Sequence, residues 1–462
     1  MPASSPDHAA WRRSGGVYSR LAGRSLCLKQ TAFSVPQYQP LADPGSPLRI
    51  ALFTETFLPR IDGTVTRLCH TLRHLRQAGH RLLVIAPSGG LSDFEGARIH
   101  GVPGFPFPLY PELKLSIPRP SIGKVLAAFR PHLVHATHPV LLGSSAFHYS
   151  SKYGLPLVVS YHAHLPKWLH YYGLGRLEPL VWRLTRAAYN RADLVLATSG
   201  VVKKSLQEHG LERVQLWPYG VDTEGFHPRY ASEQMRARLT QANSRDKLLL
   251  YVGRLSAEKN IEQCRPVLEA LPGARLALVG DGPHRRKLEE HFAGTPTYFA
   301  GYMQGEELAS AFASADVFFL PSRTETLGLV VLEAMASGCA VVAVAAGGIT
   351  DIVQDGITGR LYQPGDEAGA IAAVRELLCD AAKREQLSTN ARIDAERWGW
   401  AAATRRLETF YREVIRREEE LPGRIAQRSV PDASPEEICA ALQISRATLS
   451  RHTRAQKNGH QP

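Results

Sequence analysis

Four short stretches of this 462-residue chain combine residue types and spacings that could act on a phosphorylated, polyhydroxylated ligand. The run Glu325-Thr326-Leu327-Gly328-Leu329-Val330-Val331-Leu332-Glu333 puts one carboxylate in a loop and a second in the opening turns of a helix. Free N–H groups at Gly328 and Leu329 would face a phosphate there, while the carboxylates could accept from paired sugar hydroxyls. Helix capping would account for one glutamate; it accounts poorly for Glu333, because a lone carboxylate seldom sits unpaired in so apolar a helix. The loop Gly253-Arg254-Leu255-Ser256-Ala257-Glu258-Lys259-Asn260 offers an arginine fork and a lysine point charge, enough to neutralise a diphosphate without a metal, although two surface cations is the plainer meaning. His162 and His164, in Ser160-Tyr161-His162-Ala163-His164-Leu165-Pro166, alternate in an extended segment and so point to one side; with 18 histidines in the chain any one is more often structural, and the strand-end position favours His162. The loop from Glu55 to Gly63 ends at a glycine that opens a helix, a natural phosphate position, though a plain turn would use the glycine too. No Asp-x-Asp occurs, which removes the usual carboxylate clamp for a metal-bound nucleotide and leaves the diphosphate to the cations.

These residues need a scaffold that ends strands at one edge. Arg49 to Phe53 reads as a buried strand, Asp62-Gly63 as a turn, and Val65, Leu68, Cys69, Leu72 and Leu75 recur at helical spacing until Gly79. Arg81 to Ala86 is the next strand, so the unit is βαβ and its sheet parallel. Further strands are predicted at Leu133 to His135, Leu157 to Ser160 and Leu194 to Leu196. After Trp217 to Asp222 the alternation restarts, with strands at Leu248 to Gly253, Arg275 to Gly280, Val317 to Leu320 and Val341 to Val344. Two doubly wound Rossmann-like domains facing a central cleft fit this order, and ligands of such sheets bind beyond the strands' carboxyl ends. The expected partition is an arm over 1–47, domains over 48–217 and 218–395, a helix over 396–420 with a solvated end at Arg416 to Glu420, a break at Leu421-Pro422-Gly423, and a tail over 421–462.

Glu-x7-Glu at Glu325 and Glu333, the Gly-Arg-x4-Lys loop, Val279-Gly280-Asp281-Gly282-Pro283 and Gly220-Val221-Asp222 together resemble the retaining GT-B glycosyltransferases of family 4, from about Leu48 to Arg417. Leu216-Trp217-Pro218-Tyr219-Gly220-Val221-Asp222, Glu233 to Leu239 and Thr324 to Met335 look most like the sulfoquinovosyltransferases of sulfolipid synthesis, with Tyr219 a departure where relatives often carry Asn or Lys. The resemblance implies a hexosyltransferase that moves sulfoquinovose from UDP-sulfoquinovose to diacylglycerol with retention, uses a nucleotide sugar and needs no metal. A mannosyl- or glucosyltransferase acting on a lipid is the alternative. By the same analogy the first domain binds the acceptor and the second the donor. Arg254, Lys259, the Gly63 backbone, Gly328 and Leu329 hold the diphosphate, Glu333 the ribose, Glu325 a sugar hydroxyl, and His162 the sugar near its sixth carbon, with His162 and Glu325 as the catalytic pair.

The net charge of +12 is unevenly divided: up to Gly220 there are 25 Lys/Arg against 11 Asp/Glu, and beyond it 30 against 32. A first half at +14 attracts an anionic membrane surface, which suits an acceptor confined to the bilayer; nucleic acid is the weaker alternative. Trp168, Leu169, Tyr171 and Tyr172 beside Lys167 and Arg176 are a candidate inserted patch, or ordinary core. The most apolar stretch, Leu327 to Ile349, is interrupted by Gly338 and Gly347-Gly348, so it reads as a buried helix and strand rather than a membrane span. Arg12, Arg13, Arg20, Arg24 and Lys29 make the arm basic, either a transit peptide or a disordered extension. The six cysteines show no metal-ligand spacing and favour a reducing compartment; the resemblance implies the cytoplasm or stroma, with the enzyme peripheral on a thylakoid or plasma membrane. In the tail, Ser434-Pro435-Glu436-Glu437 is a capping box, and the two helices around Ile444-Ser445 resemble a resolvase-type DNA-reading head, or form a solvated appendage.

Overall fold

The computed structural model describes residues 41, 43, 45–60, 62–107, 110–137, 139–162, 166, 169–170, 173–217, 220–243, 246–428 and 434–457. Most of the basic arm, His164, Tyr219 and four residues of the proposed patch, Lys167, Trp168, Tyr171 and Tyr172, lie outside the described residues.

The first domain runs β1 (Arg49–Thr54), α1 (Gly63–Gln77), β2 (Arg81–Pro87), β3 (Asp93–Phe94), β4 (Ala97–Val102), a hairpin of β5 (Gly104–Phe107) and β6 (Tyr110–Ser116), α2 (Pro120–Phe129), β7 (Leu133–Thr137), α3 (Ser144–Tyr153), β8 (Leu157–Tyr161), α4 (Glu178–Tyr189), β9 (Leu194–Ala197), α5 (Gly200–Glu208) and β10 (Val214–Leu216). Its eight-stranded sheet has the order β10-β9-β8-β7-β1-β2-β4-β3, parallel except for β3. Ile50, Ala51, Leu52 and Phe53 are all 0% exposed, because helices cover both faces of a parallel sheet. Helix α1 starts where the Asp62 carboxylate accepts from the N–H groups of Thr64 and Val65, and it buries Val65, Leu68, Leu72 and Leu75.

The second domain repeats the plan with α6 (Glu233–Leu239), β11 (Lys247–Val252), α7 (Cys264–Glu269), β12 (Ala274–Val279), α8 (Arg285–His291), β13 (Thr297–Gly301), α9 (Gly305–Ala313), β14 (Val317–Leu320), α10 (Leu329–Ala336), β15 (Ala340–Val344), β16 (Arg360–Tyr362), α11 (Glu367–Cys379) and α12 (Ala381–Ala395). The six-stranded parallel sheet is ordered β13-β12-β11-β14-β15-β16. Strand order reverses between β1 and β7 in one sheet and between β11 and β14 in the other, and loops diverge at such switch points to leave a crevice. The predicted strands are present within a residue or two. The apolar stretch from Leu327 is the predicted helix and strand, α10 and β15. Among the described residues no helix is long and apolar enough to cross a membrane.

The C-terminal region differs from expectation. The helix expected over 396–420 is α13 (Trp400–Arg428), and it runs through Pro422 without the expected break. An internal proline costs about 3 kcal/mol in an isolated helix, but here the flanking turns are held by packing: Leu421 is 1% exposed. Helix α13 belongs to the first domain's core, where Leu407, Phe410, Tyr411, Val414 and Ile415 join Leu48, Ile50, Leu52 and Trp217. Of the solvated end expected at Arg416 to Glu420, Arg416, Arg417, Glu419 and Glu420 are exposed as expected, but Glu418 is 6% exposed and the helix does not end there.

Nor is the tail a solvated appendage. After the predicted capping box, α14 (Pro435–Leu442) and α15 (Arg446–Lys457) dock on the first domain. Arg451 lies between Asp193 at 2.9 Å and Glu418 at 3.1 Å, and Ser445 Oγ donates to the Arg191 carbonyl. Arg451 is thus committed to an internal ion triad, and Arg446 pairs with Glu436. This removes Arg451 from the surface a DNA-reading helix would need and sets a carboxylate against the exposed Arg446.

Candidate active site

The two switch points face each other across a cleft of about 800 Å³, and all eight residues predicted from the sequence line it: Gly63 and His162 from the first domain, and Arg254, Lys259, Glu325, Gly328, Leu329 and Glu333 from the second. The walls touch directly. Thr326 Oγ1 donates to the His162 carbonyl at 2.7 Å, and Thr198 Oγ1 donates to the Thr326 carbonyl at 3.0 Å. Across the gap, a Cβ at Gly63 would stand 3.5 Å from Leu329 Cδ1.

In the loop after β1 the carboxylate of Glu55 is structural. It accepts from the N–H groups of Val140, Leu141 and Gly143 at 2.8 Å and of Leu142 at 3.2 Å, fixing the loop to the start of α3. Asp62, itself paired with Arg60 at 3.1 Å, occupies the next two donors of α1. The Gly63 N–H makes no hydrogen bond among the described residues and borders the cleft.

In the second domain Lys259 Nζ donates to Glu325 Oε1 at 2.5 Å, with the two side chains 22% and 14% exposed. Burial alone would raise the Glu325 pKa, but the Lys259 ammonium and the Ser322 hydroxyl hold it below the ordinary carboxylate value. The Glu325 backbone is seated on Gly347-Gly348: Gly348 N–H donates to the Glu325 carbonyl at 2.8 Å, and a Cβ on Gly347, whose φ is +59°, would collide with that oxygen. Gly280 supports Arg254 likewise, because a Cβ there would strike the Gly253 carbonyl. Helix α10 opens from Gly328 at φ +83°, and the N–H groups of Gly328 and Leu329 make no hydrogen bond among the described residues.

The carboxyl of Glu333, one turn into α10, has no hydrogen-bond or ion-pair partner among the described residues, and burial pushes its pKa up to about 8. A neutral carboxyl lining a cleft beside an open helix N-terminus is a group waiting for donors. Among the described residues, no cluster of three or more His, Cys, Asp or Glu side chains has metal-holding geometry.

Sequence reasoning missed several lining groups, among them Arg60, Arg67, Thr198, Tyr302 and Thr326. Arg67 had a signal: a charge on the buried stripe of α1 with Thr71 and Leu75. It is 1% exposed, with its guanidinium 3.7 Å above the Trp217 ring and NH2 donating to the Trp217 carbonyl at 3.0 Å.

Residues 61–225 match the family Glycosyltransferase Family 4, and residues 234–394 match Glycosyl transferases group 1. The chain is 40% identical over 380 residues, 80% of its own length and 74% of the other's, to the sulfoquinovosyl transferase SQD2 of Arabidopsis thaliana. It is 36% identical over 359 residues, 76% of its length and 94% of the other's, to the GDP-mannose-dependent alpha-mannosyltransferase of Mycolicibacterium smegmatis. Sucrose-phosphate synthase from Thermosynechococcus elongatus, at 23% identity, has the same fold, with a TM-score of 0.68 over 79% of this chain and 99% of that one. With its paired Rossmann-like domains and the cleft between them, the chain belongs to the GT-B glycosyltransferases of family 4 and is a nucleotide-sugar-dependent hexosyltransferase.

Proposed function

We propose that the protein transfers sulfoquinovose from UDP-sulfoquinovose to the free hydroxyl of diacylglycerol, with retention at the anomeric carbon. The observation that carries the donor half is Glu333, an unpartnered carboxyl in the cleft wall, set beside Arg254, the Lys259–Glu325 pair and the open start of α10. In this reading Glu333 accepts from the two ribose hydroxyls. Arg254, Lys259 and the N–H groups of Gly63, Gly328 and Leu329 hold the diphosphate. Lys259 keeps Glu325 ionised so that Glu325 can accept from a sugar hydroxyl, and His162 meets the sugar near its sixth carbon. The bond from the anomeric carbon to the leaving phosphate oxygen breaks, the acceptor oxygen bonds to that carbon on the same face, and the acceptor's proton passes to the departing phosphate. The protein then supplies position and electrostatic stabilisation rather than a nucleophile. The sugar itself is supported by the 40% identity to a protein named for sulfoquinovosyl transfer.

An acceptor confined to a bilayer requires a docking face, and we place it on α4 and the turn before it. Leu174, Leu177, Leu180 and Leu184 are 41–59% exposed at helical spacing, with Arg176, Arg183 and Arg186 exposed among them. The acid of this face, Glu178, is engaged by His170 at 2.5 Å and by Trp182 Nε1 at 3.2 Å. Leucines flanked by arginines that form no ion pair among the described residues fit an anionic lipid surface, where each basic residue contributes about 1 kcal/mol. The segment follows β8, whose end carries His162.

The test is a panel of UDP- and GDP-sugars with diacylglycerol in anionic vesicles. Turnover of UDP-sulfoquinovose, with an α-linked product from the α-linked donor, is expected; preferential use of GDP-mannose, or an inverted product, would overturn the reading. Leu177→Glu with Leu184→Glu should abolish co-sedimentation with anionic vesicles, and binding that is equal on neutral vesicles would remove the docking face.

A further inference from the structure

The His162 ring is wired to the C-terminal helix by a hydrogen-bonded chain whose direction can be deduced. His162 Nε2 lies 2.7 Å from Ser160 Oγ, Ser160 Oγ lies 2.9 Å from His135 Nε2, and His135 Nδ1 lies 2.6 Å from Tyr411 Oη. Ser160, His135 and Tyr411 are each 0% exposed, so water cannot supply alternative partners. Trp217 flanks both imidazoles, with ring centroids 5.7 Å from each.

Tyr411 sets the polarity. Its hydroxyl has one proton to donate, and His135 Nδ1 is its hydrogen-bond partner among the described residues. A buried O–H left without an acceptor costs about 1–3 kcal/mol, so the proton is directed to Nδ1. His135 is neutral, its pKa lowered to about 3 by burial and by the Arg67 charge, and a neutral imidazole holds one N–H. With Nδ1 accepting, that N–H is at Nε2 and donates to Ser160 Oγ. The single Ser160 proton is then directed to His162 Nε2, and an imidazole that accepts at Nε2 carries its proton on Nδ1. Reversing the chain would strand the Tyr411 proton with no acceptor, and protonating His162 fully would strand the Ser160 proton instead.

We propose that Tyr411, on α13, is a positioning residue for transfer, acting through His135 and Ser160 to lock His162 as the Nδ1–H tautomer. In this tautomer whatever meets the second ring nitrogen meets a donor and not an acceptor. This suits a group that only accepts, such as a sulfonate oxygen on the sugar's sixth carbon. The inference deepens the proposed function and rests on it for that last step alone.

The experiment is nitrogen-15 NMR of histidine-labelled protein without substrate, with the His162 signals assigned by their loss in His162→Asn. The wild type should show His162 protonated at Nδ1, and Tyr411→Phe, which keeps the ring and removes the hydroxyl, should give a mixture of tautomers. Ser160→Ala cuts the chain at its other end and should do the same if the tyrosine variant folds poorly. Transfer by Tyr411→Phe should show kcat lowered about tenfold, the value of one misdirected hydrogen bond, with the KM for the donor little changed. A wild-type His162 protonated at Nε2, or a tautomer indifferent to both substitutions, would overturn the proposal. The tautomer is read without substrate, so the wrong choice of sugar would leave that result standing.

Discussion

If Glu333 holds the ribose as proposed, proton binding and nucleotide binding compete there. Its carboxyl is moved from 4.5 to about 8 by burial, and at 1.36 kcal/mol per pKa unit the shift corresponds to about 5 kcal/mol, an upper figure because water reaches the cleft. The folded state binds this proton more tightly than the unfolded chain does. The associated stability is therefore complete below the unfolded pKa and is lost as pH rises through about 8. If ribose hydroxyls donate to Glu333, they favour the carboxylate, so the bound pKa falls and binding releases a proton. UDP affinity should then rise with pH between about 6 and 8, by up to tenfold per unit, and level off above. UDP's own phosphate also titrates near this range, so the informative quantity is the difference between the wild type and Glu333→Gln, which binds no proton at this position. Isothermal titration calorimetry in buffers of different ionisation enthalpy reads the released proton directly. Identical pH profiles for the two proteins, or a wild-type enthalpy indifferent to buffer, would refute both the neutral carboxyl and its pairing with ribose.

Three further outcomes follow from the same geometry. Arg254→Ala should lower kcat/KM by about 2–5 kcal/mol in transition-state binding, with activity of the wild type unaffected by a chelator; loss of activity on chelation would instead require a metal on the diphosphate. Glu325→Gln keeps an acceptor for Lys259 but loses the charge, so turnover should fall at least tenfold while the urea-unfolding free energy changes by about 1 kcal/mol; a stability loss without a turnover loss would make the pair purely structural. Arg451→Ala leaves Asp193 and Glu418 buried without their cation and should cost about 3–5 kcal/mol at neutral pH. Despite the burial that opposes it, Arg451 and His452 hold the Glu418 pKa down, so this contribution is present above the ordinary carboxylate range and fades as pH falls; chemical denaturation at pH 7 and pH 4 should show the variant's deficit shrinking in acid.

The sheets were legible because their central strands are uninterrupted apolar runs, such as Leu248 to Tyr251, flanked by glycine turns and amphipathic helices. The edge strands β10 and β16, of three residues each, and the hairpin β5–β6 carry no such run and were not predicted. The site was legible to the extent that it follows strand ends, which is why Glu325 and Arg254 could be found from local pattern alone. What pattern cannot report is a partner far along the chain. Nothing near Glu418 announces Asp193 or Arg451, and nothing near Tyr411 announces His135, 276 residues away. The same blindness hid the burial of Glu418 among exposed neighbours and made a proline look like a terminus.

The first domain is completed by a helix encoded after the whole of the second domain. Its core needs Leu407, Phe410, Tyr411, Val414 and Ile415, whereas the second domain's buried cluster draws only on residues from Val221 to Ala395. On the ribosome, at about 5–20 residues per second, roughly 10–40 s separate synthesis of Trp217 from synthesis of Ile415. During that interval the second domain can close its core while the first, although made earlier, still exposes the apolar face that α13 will cover. The usual order of vectorial folding is inverted, and the nascent first half becomes the client that chaperones must hold. A premature stop codon after the second domain would therefore damage the domain translated before it, and the two halves cannot be produced separately by cutting the gene once.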